Sequence, residues 1–176
     1  MKKYLIIAFC LILAIMSFTF YKLGGFLSPE LSEFSAPDYY IYGEHYKGKL
    51  KEKAFGNLFD KADNYIKEHQ INASSGALYY NDPQTAEDVA EAFVGFITED
   101  TLSSTPEGFE RIKLDARQVV QANIKSHYLV SPINIYQNLE EFAEEKGIEV
   151  SKYPGLEIYR GERDVIIQIP LESQVR

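Results

Sequence analysis

Gly155-Leu156-Glu157-Ile158-Tyr159 is a strand-like run, and 79 positions earlier Gly76-Ala77-Leu78-Tyr79-Tyr80 repeats its Gly-x-x-x-Tyr outline. Working outward, each run follows a segment of helical period. Leu58, Phe59, Ala62, Tyr65, Ile66 and Ile71 lie over Ile135, Tyr136, Leu139, Phe142, Ala143 and Ile148 at an offset of 77. Apolar residues at i, i+3, i+4 and i+7 are the mark of an amphipathic helix. Ser131-Pro132 opens the second helix in cap order, with Pro at the first helical position, and Gly147 closes it. Before the helices stand residues 38–48 and 118–128; after the Gly-x-x-x-Tyr runs stand 90–98 and 164–170, all rich in β-branched and aromatic residues. Residues 109–115 add a strand that leads into the second half. The order strand, helix, strand, strand is thus written twice. The expected fold is α+β: a duplicated β-α-β-β unit, with an antiparallel sheet, two helices on one face and a central groove.

Strand alternation puts Glu157 and Tyr159 on one face and Leu156 and Ile158 on the other. The offset of 79 sets Leu78 over Glu157 and Tyr80 over Tyr159. A carboxylate in an otherwise apolar strand is costly unless it is solvated, paired or used.

The first stretch stands apart. Residues 4–21 carry no charge over 18 positions, with Lys2 and Lys3 before them and Lys22 after. As a helix they span about 27 Å, close to the hydrocarbon core of a bilayer. A signal peptide needs small residues just past the apolar run, but Phe20, Tyr21 and Lys22 occupy those places. The expectation is an uncleaved single-pass anchor over residues 1–24, a linker over 25–35 and a domain over 36–176. Two lysines before the run against one after place the domain outside the cytoplasm.

Charge narrows the function. Beyond Lys22 there are 15 Lys+Arg against 26 Asp+Glu, a net of −11. Nucleic acid is a poor partner for such a domain, and anionic lipid headgroups should repel it. One cysteine and three histidines leave little for a thiol pair or a metal site, and no metal or cofactor is expected. The chain has no G-x-S-x-G, Walker A or G-x-G-x-x-G motif.

Tyr79-Tyr80-Asn81-Asp82-Pro83, Ser131-Pro132, Leu156-Glu157-Ile158-Tyr159 and Ile167-Gln168-Ile169-Pro170 together resemble the GyrI-like small-molecule-binding domain, over residues 36–173. That family includes effector domains of multidrug-sensing regulators, gyrase-inhibitory proteins and, more distantly, SOUL haem-binding proteins. The resemblance implies a groove in which a strand Glu meets cationic aromatic ligands among Tyr and Phe side chains. On this chain those residues are Glu157 and Tyr159, with Tyr80, Tyr42 and Phe96 as further lining. Residues 23–37 are too short for a helix-turn-helix, so a transcription factor is not expected. An N-terminal anchor with this domain is similar to a membrane-anchored subgroup that includes reticulum-autophagy receptors. Those receptors carry a disordered tail with a recognition motif, so their role is not carried over to a chain that stops at Arg176.

The expected function is membrane-anchored binding of a lipophilic, cationic or aromatic small molecule. Two alternatives stand beside it: a protein-interaction module at the membrane, and a Glu-dependent hydrolase of electrophilic compounds in which Glu157 with Tyr159 acts as general base. Haem binding would call on His45 or His127, which an offset of 82 leaves out of strict equivalence. An enclosed aromatic pocket around Glu157 would favour a ligand; a filled groove would favour a scaffold.

Overall fold

The computed structural model describes residues 2–81, 89–148 and 154–171. Asp82 and Pro83 of the resemblance, and residues 172–176 of the expected domain, lie outside them. A 22-residue helix, α1 (Lys2–Leu23), leads into β1 (Glu30–Ala36) and β2 (Tyr39–Lys49). Then come α2 (Lys53–His69), β3 (Ser74–Tyr79) and β4 (Val89–Thr98). The second half is β5 (Glu110–Leu114), β6 (Arg117–Ile124), α3 (Ser131–Lys146), β7 (Gly155–Tyr159) and β8 (Val165–Pro170). All strands form one antiparallel sheet, in the order β1-β6-β8-β7-β3-β4-β2-β5.

This order makes the duplication physical. The inner strands of the two halves, β3 and β7, pair at the centre. The strand before each half crosses to the far side: β1 pairs with β6, and β5 with β2. The unit is therefore β-α-β-β with a leading strand donated to the other half's edge. Residues 30–35, expected as linker, belong to that leading strand. Its side chains are mostly exposed, and its backbone ladder to β6, from Glu30↔Asn123 to Ala36↔Arg117, holds it in place.

The central register corrects the repeat. Ala77 lies directly opposite Glu157, Leu78 opposite Leu156 and Tyr79 opposite Gly155. The pseudo-two-fold thus relates Ala77 to Glu157 and Tyr79 to Tyr159, one residue away from the equivalence read along the chain. One residue of slip moves a side chain to the other face of a strand.

Both helices lie on one side of the sheet. α2 covers Tyr46, Ala77, Tyr79 and Val94 with Phe55, Leu58 and Phe59. α3 covers Val120, Ala122, Ile124, Val165, Ile167 and Ile169 with Ile135 and Leu139. Helix ends obey local rules: Gly147 adopts φ 61° and its N–H bonds back to Ala143 and Glu144. Ser131 does not cap α3 as expected. It lies inside the first turn, and its Oγ is 2.9 Å from the His127 carbonyl.

The other face of the sheet is also interior. Ile41, Leu78, Phe93, Ile97, Val119, Leu156, Ile158 and Ile166 are buried there against one another. Gln168 Nε2 of β8 donates to the Tyr39 hydroxyl of β2 at 3.2 Å, with three strands between them in the sheet. The sheet must curl for that contact to form. Gly43 and Gly95 face one another at the bend, where a Cβ would sit 2.2 and 2.0 Å from the opposite strand's carbonyl oxygen.

Candidate functional site

Because Glu157 sits opposite Ala77, its side chain emerges on the helix side of the sheet, between α2 and α3. Tyr136 of α3 donates its hydroxyl to Glu157 Oε1 at 2.9 Å, and Tyr159 donates to Oε2. The residue is 5% exposed. Among the described residues no cationic side chain pairs with it. Burial pushes its carboxyl pKa up; the two hydroxyl donors pull the other way and do not cancel it. Burial, then the neighbouring Glu157 charge, pushes the Tyr159 phenol well above its ordinary value, and Tyr79 adds to the rise.

Aromatic rings enclose the pair. Phe59 of α2 meets the Tyr159 ring edge-on at 5.7 Å, and Tyr128, from the loop before α3, meets it at 6.4 Å. The space above Glu157 is filled by these side chains. Beyond Tyr159 opens a cleft of about 880 Å³, bounded by the end of α2 (Ile66, Lys67), the start of β3 (Ser74), Tyr128 and the β7–β8 turn (Arg160, Glu162). Tyr159 is thus a wall shared by the buried carboxylate and the open cleft.

Of the residues expected at the groove, the structure brings Glu157 and Tyr159 together and leaves the others elsewhere. Tyr42 and Phe96 are fully buried under α2, stacked at 5.1 Å, with Phe96 stacked in turn on Tyr65. They belong to the core of the first half. Tyr80 lies beyond the end of β3 on the face away from the helices, stacked over His45 at 6.2 Å. On the helix side its place is taken by Tyr79, which lies opposite Gly155. Tyr136 and Phe59 read in the sequence only as apolar helix positions. His45 and His127 do not converge: His45 packs on Phe93, while the His127 backbone N–H holds the end of α1. Among the described residues no group of three or more His, Cys, Asp or Glu is placed to hold a metal ion.

No family model and no curated relative matches the sequence. Solved structures do match. The C-terminal domain of EcmrR is 15% identical, with 84% of this chain and 99% of that one covered at a TM-score of 0.63. An integron cassette protein of Vibrio cholerae is 15% identical over 82% of this chain and 96% of its own, with a TM-score of 0.55. A hydrolase from Listeria innocua is 9% identical over 87% and 98%, with a TM-score of 0.54. At such identities the likeness is one of architecture, and it agrees with the resemblance carried by the β7 and β8 sequences: the chain has the GyrI-like, effector-binding fold.

Proposed function

We propose that this chain is a membrane-anchored receptor domain for lipophilic cations, with Glu157 as the counter-charge and Tyr159, Tyr136 and Tyr79 as the aromatic wall. The observation that carries this reading is the carboxylate itself. It is buried, held by two phenols and, among the described residues, partnered by no cation. A delocalised aromatic cation satisfies such a site twice, by charge and by stacking on electron-rich rings. Swinging the Tyr159 ring toward the cleft would open the path to Glu157. α1 is long and apolar enough to cross a bilayer, and that length supports the anchor role. On this reading the folded domain starts at Glu30.

The test is titration of the full chain, in detergent micelles, with a fluorescent aromatic cation such as ethidium. Glu157→Gln should weaken binding at least about tenfold, since a charge-assisted contact is worth about 1.5–3 kcal/mol. Equal affinity in the two proteins would overturn the reading. The filled space over Glu157 favours a second reading, a protein-interaction module at the membrane. That reading predicts no saturable cation binding by either protein.

A further inference from the structure

The end of α1 is built into the domain rather than tethered to it. The Leu23 carbonyl accepts the His127 backbone N–H at 2.8 Å. The Lys22 carbonyl accepts both Arg163 Nη1 and Nη2, at 3.2 and 3.1 Å. Asn134 Nδ2 donates to the carbonyls of Gly25 and Leu27. Gly24 turns the chain at φ 84°, where a Cβ would lie 2.8 Å from that of Ser126. Three separate segments therefore grip the helix exit: the loop before α3, α3 itself and the β7–β8 turn. Their grip fixes the domain's orientation relative to α1.

Around that exit the surface is unusually apolar. Beyond α1, the four most exposed large hydrophobics among the described residues are Phe26 at 70%, Leu129 at 63%, Leu27 at 47% and Tyr128 at 44%. The other three, Phe34, Leu50 and Tyr80, stand singly elsewhere. Leu129 is two residues from His127, so it lies within about 7 Å of the residue whose N–H bonds the helix end. The headgroup zone on each side of the hydrocarbon is about 6 Å deep, a comparable distance. Charge is locally reversed as well. Residues 125–129 and 160–164 hold Lys125, Arg160 and Arg163 against Glu162 and Asp164, and Lys22 adds a further cation, on a domain of net −11.

We propose that Phe26, Leu27, Tyr128 and Leu129 form a second membrane contact, seated in the interface of the bilayer that α1 crosses. The proposal rests on the reading of α1 as an anchor. The occupant is lipid because the patch is continuous with an apolar helix end and is flanked by cations, the pattern of interfacial belts. The repulsion from anionic headgroups is expected from the net charge of the domain, and the local charge at this end has the opposite sign. Tyr128 also lines the cleft beyond Tyr159, so the cleft opens at headgroup depth.

The chain has no tryptophan, so a single introduced one reports cleanly. Leu129→Trp, Leu13→Trp in α1, and Leu50→Trp at the far end of β2 from the cleft are each made in the full chain. Each is reconstituted in phosphatidylcholine–phosphatidylglycerol nanodiscs with and without brominated acyl chains. Trp at 13 should lose most of its emission to the brominated lipid. Trp at 129 should lose a large part of its emission and shift to the blue, and Trp at 50 should be unchanged. Quenching at 13 but not at 129 overturns the second contact and leaves the anchor standing. Absence of quenching at both removes the anchor and the proposal together. A blue shift at 129 without quenching assigns the patch to protein and overturns the lipid contact. Equal quenching at 129 and 50 overturns the fixed orientation.

Discussion

Glu157→Gln should stabilise the fold at neutral pH while removing the charge on which cation binding depends. Moving an ionised carboxylate out of water costs several kcal/mol in a folded protein. Against this, the Tyr136 and Tyr159 hydroxyls return about 1.5–3 kcal/mol each as charge-assisted bonds. Burial wins, because the carboxyl is held above its ordinary value of 4.5. Below the unfolded-state value the group is protonated in both states and the native protein carries no penalty. As pH rises through the raised folded-state value, the native protein must ionise a buried group, and that part of its stability is lost. The glutamine variant has no such loss. Each unit by which the carboxyl is raised is worth about 1.4 kcal/mol. A rise of a single unit corresponds to a melting-temperature gain of about 4 °C in a chain of this size. The assay is thermal unfolding by circular dichroism, with both proteins as full chains in micelles at pH 4 and pH 8. The expected result is near-equal melting at pH 4 and a gain of about 4 °C or more for the variant at pH 8. If glutamine is destabilising by the same amount at both values, the phenol bonds outweigh burial, Glu157 is a structural hydrogen-bond hub, and the argument from an unsatisfied charge fails.

Tyr159→Phe removes one donor to the carboxylate and should cost about 1–3 kcal/mol at pH 8, with a smaller loss at pH 4, where the acceptor is neutral. A pH-independent loss, measured by the same melts, would mean that the ring and not the hydroxyl matters. Phe96→Ala should cost about 3–5 kcal/mol, because the ring is fully buried between Tyr42 and Tyr65. Wherever the variant remains folded, its cation affinity should equal that of the parent; a selective loss of binding without unfolding would return Phe96 to the groove.

How much of this was legible follows from how local each signal is. Both domain helices announce themselves by period, and seven of the eight strands by runs rich in β-branched and aromatic residues, since the central strands bury both faces. β1 did not. Its Glu30, Ser32, Glu33 and Ser35 point to water, and its stability comes from a backbone ladder to residues 117–123. An edge strand needs no apolar alternation, so Gly24, Gly25 and Pro29 made the whole stretch look like a linker. The site divides in the same way. Glu157 stood out because a lone acid in an apolar strand is costly. Its companions did not, because they depend on register: Tyr79 and Tyr80 are adjacent in sequence, and only the pairing of Ala77 with Glu157 decides which faces the helices. Tyr42 and Phe96 shared the composition of a binding wall, but fully buried aromatic side chains under a helix are core.

The same physics bears on why the acid is there at all. At the two-fold position the first half carries Ala77 and packs without strain or charge, so the fold does not require a carboxylate in the second. An apolar or amide residue at 157 would serve stability better than a carboxyl held above its ordinary value. Polar groups kept at a cost to stability concentrate where function uses them. If the glutamine variant proves both more stable and unable to bind a cation, the penalty and the affinity come from the same charge. The energy that destabilises the empty protein is then the energy an incoming cation recovers.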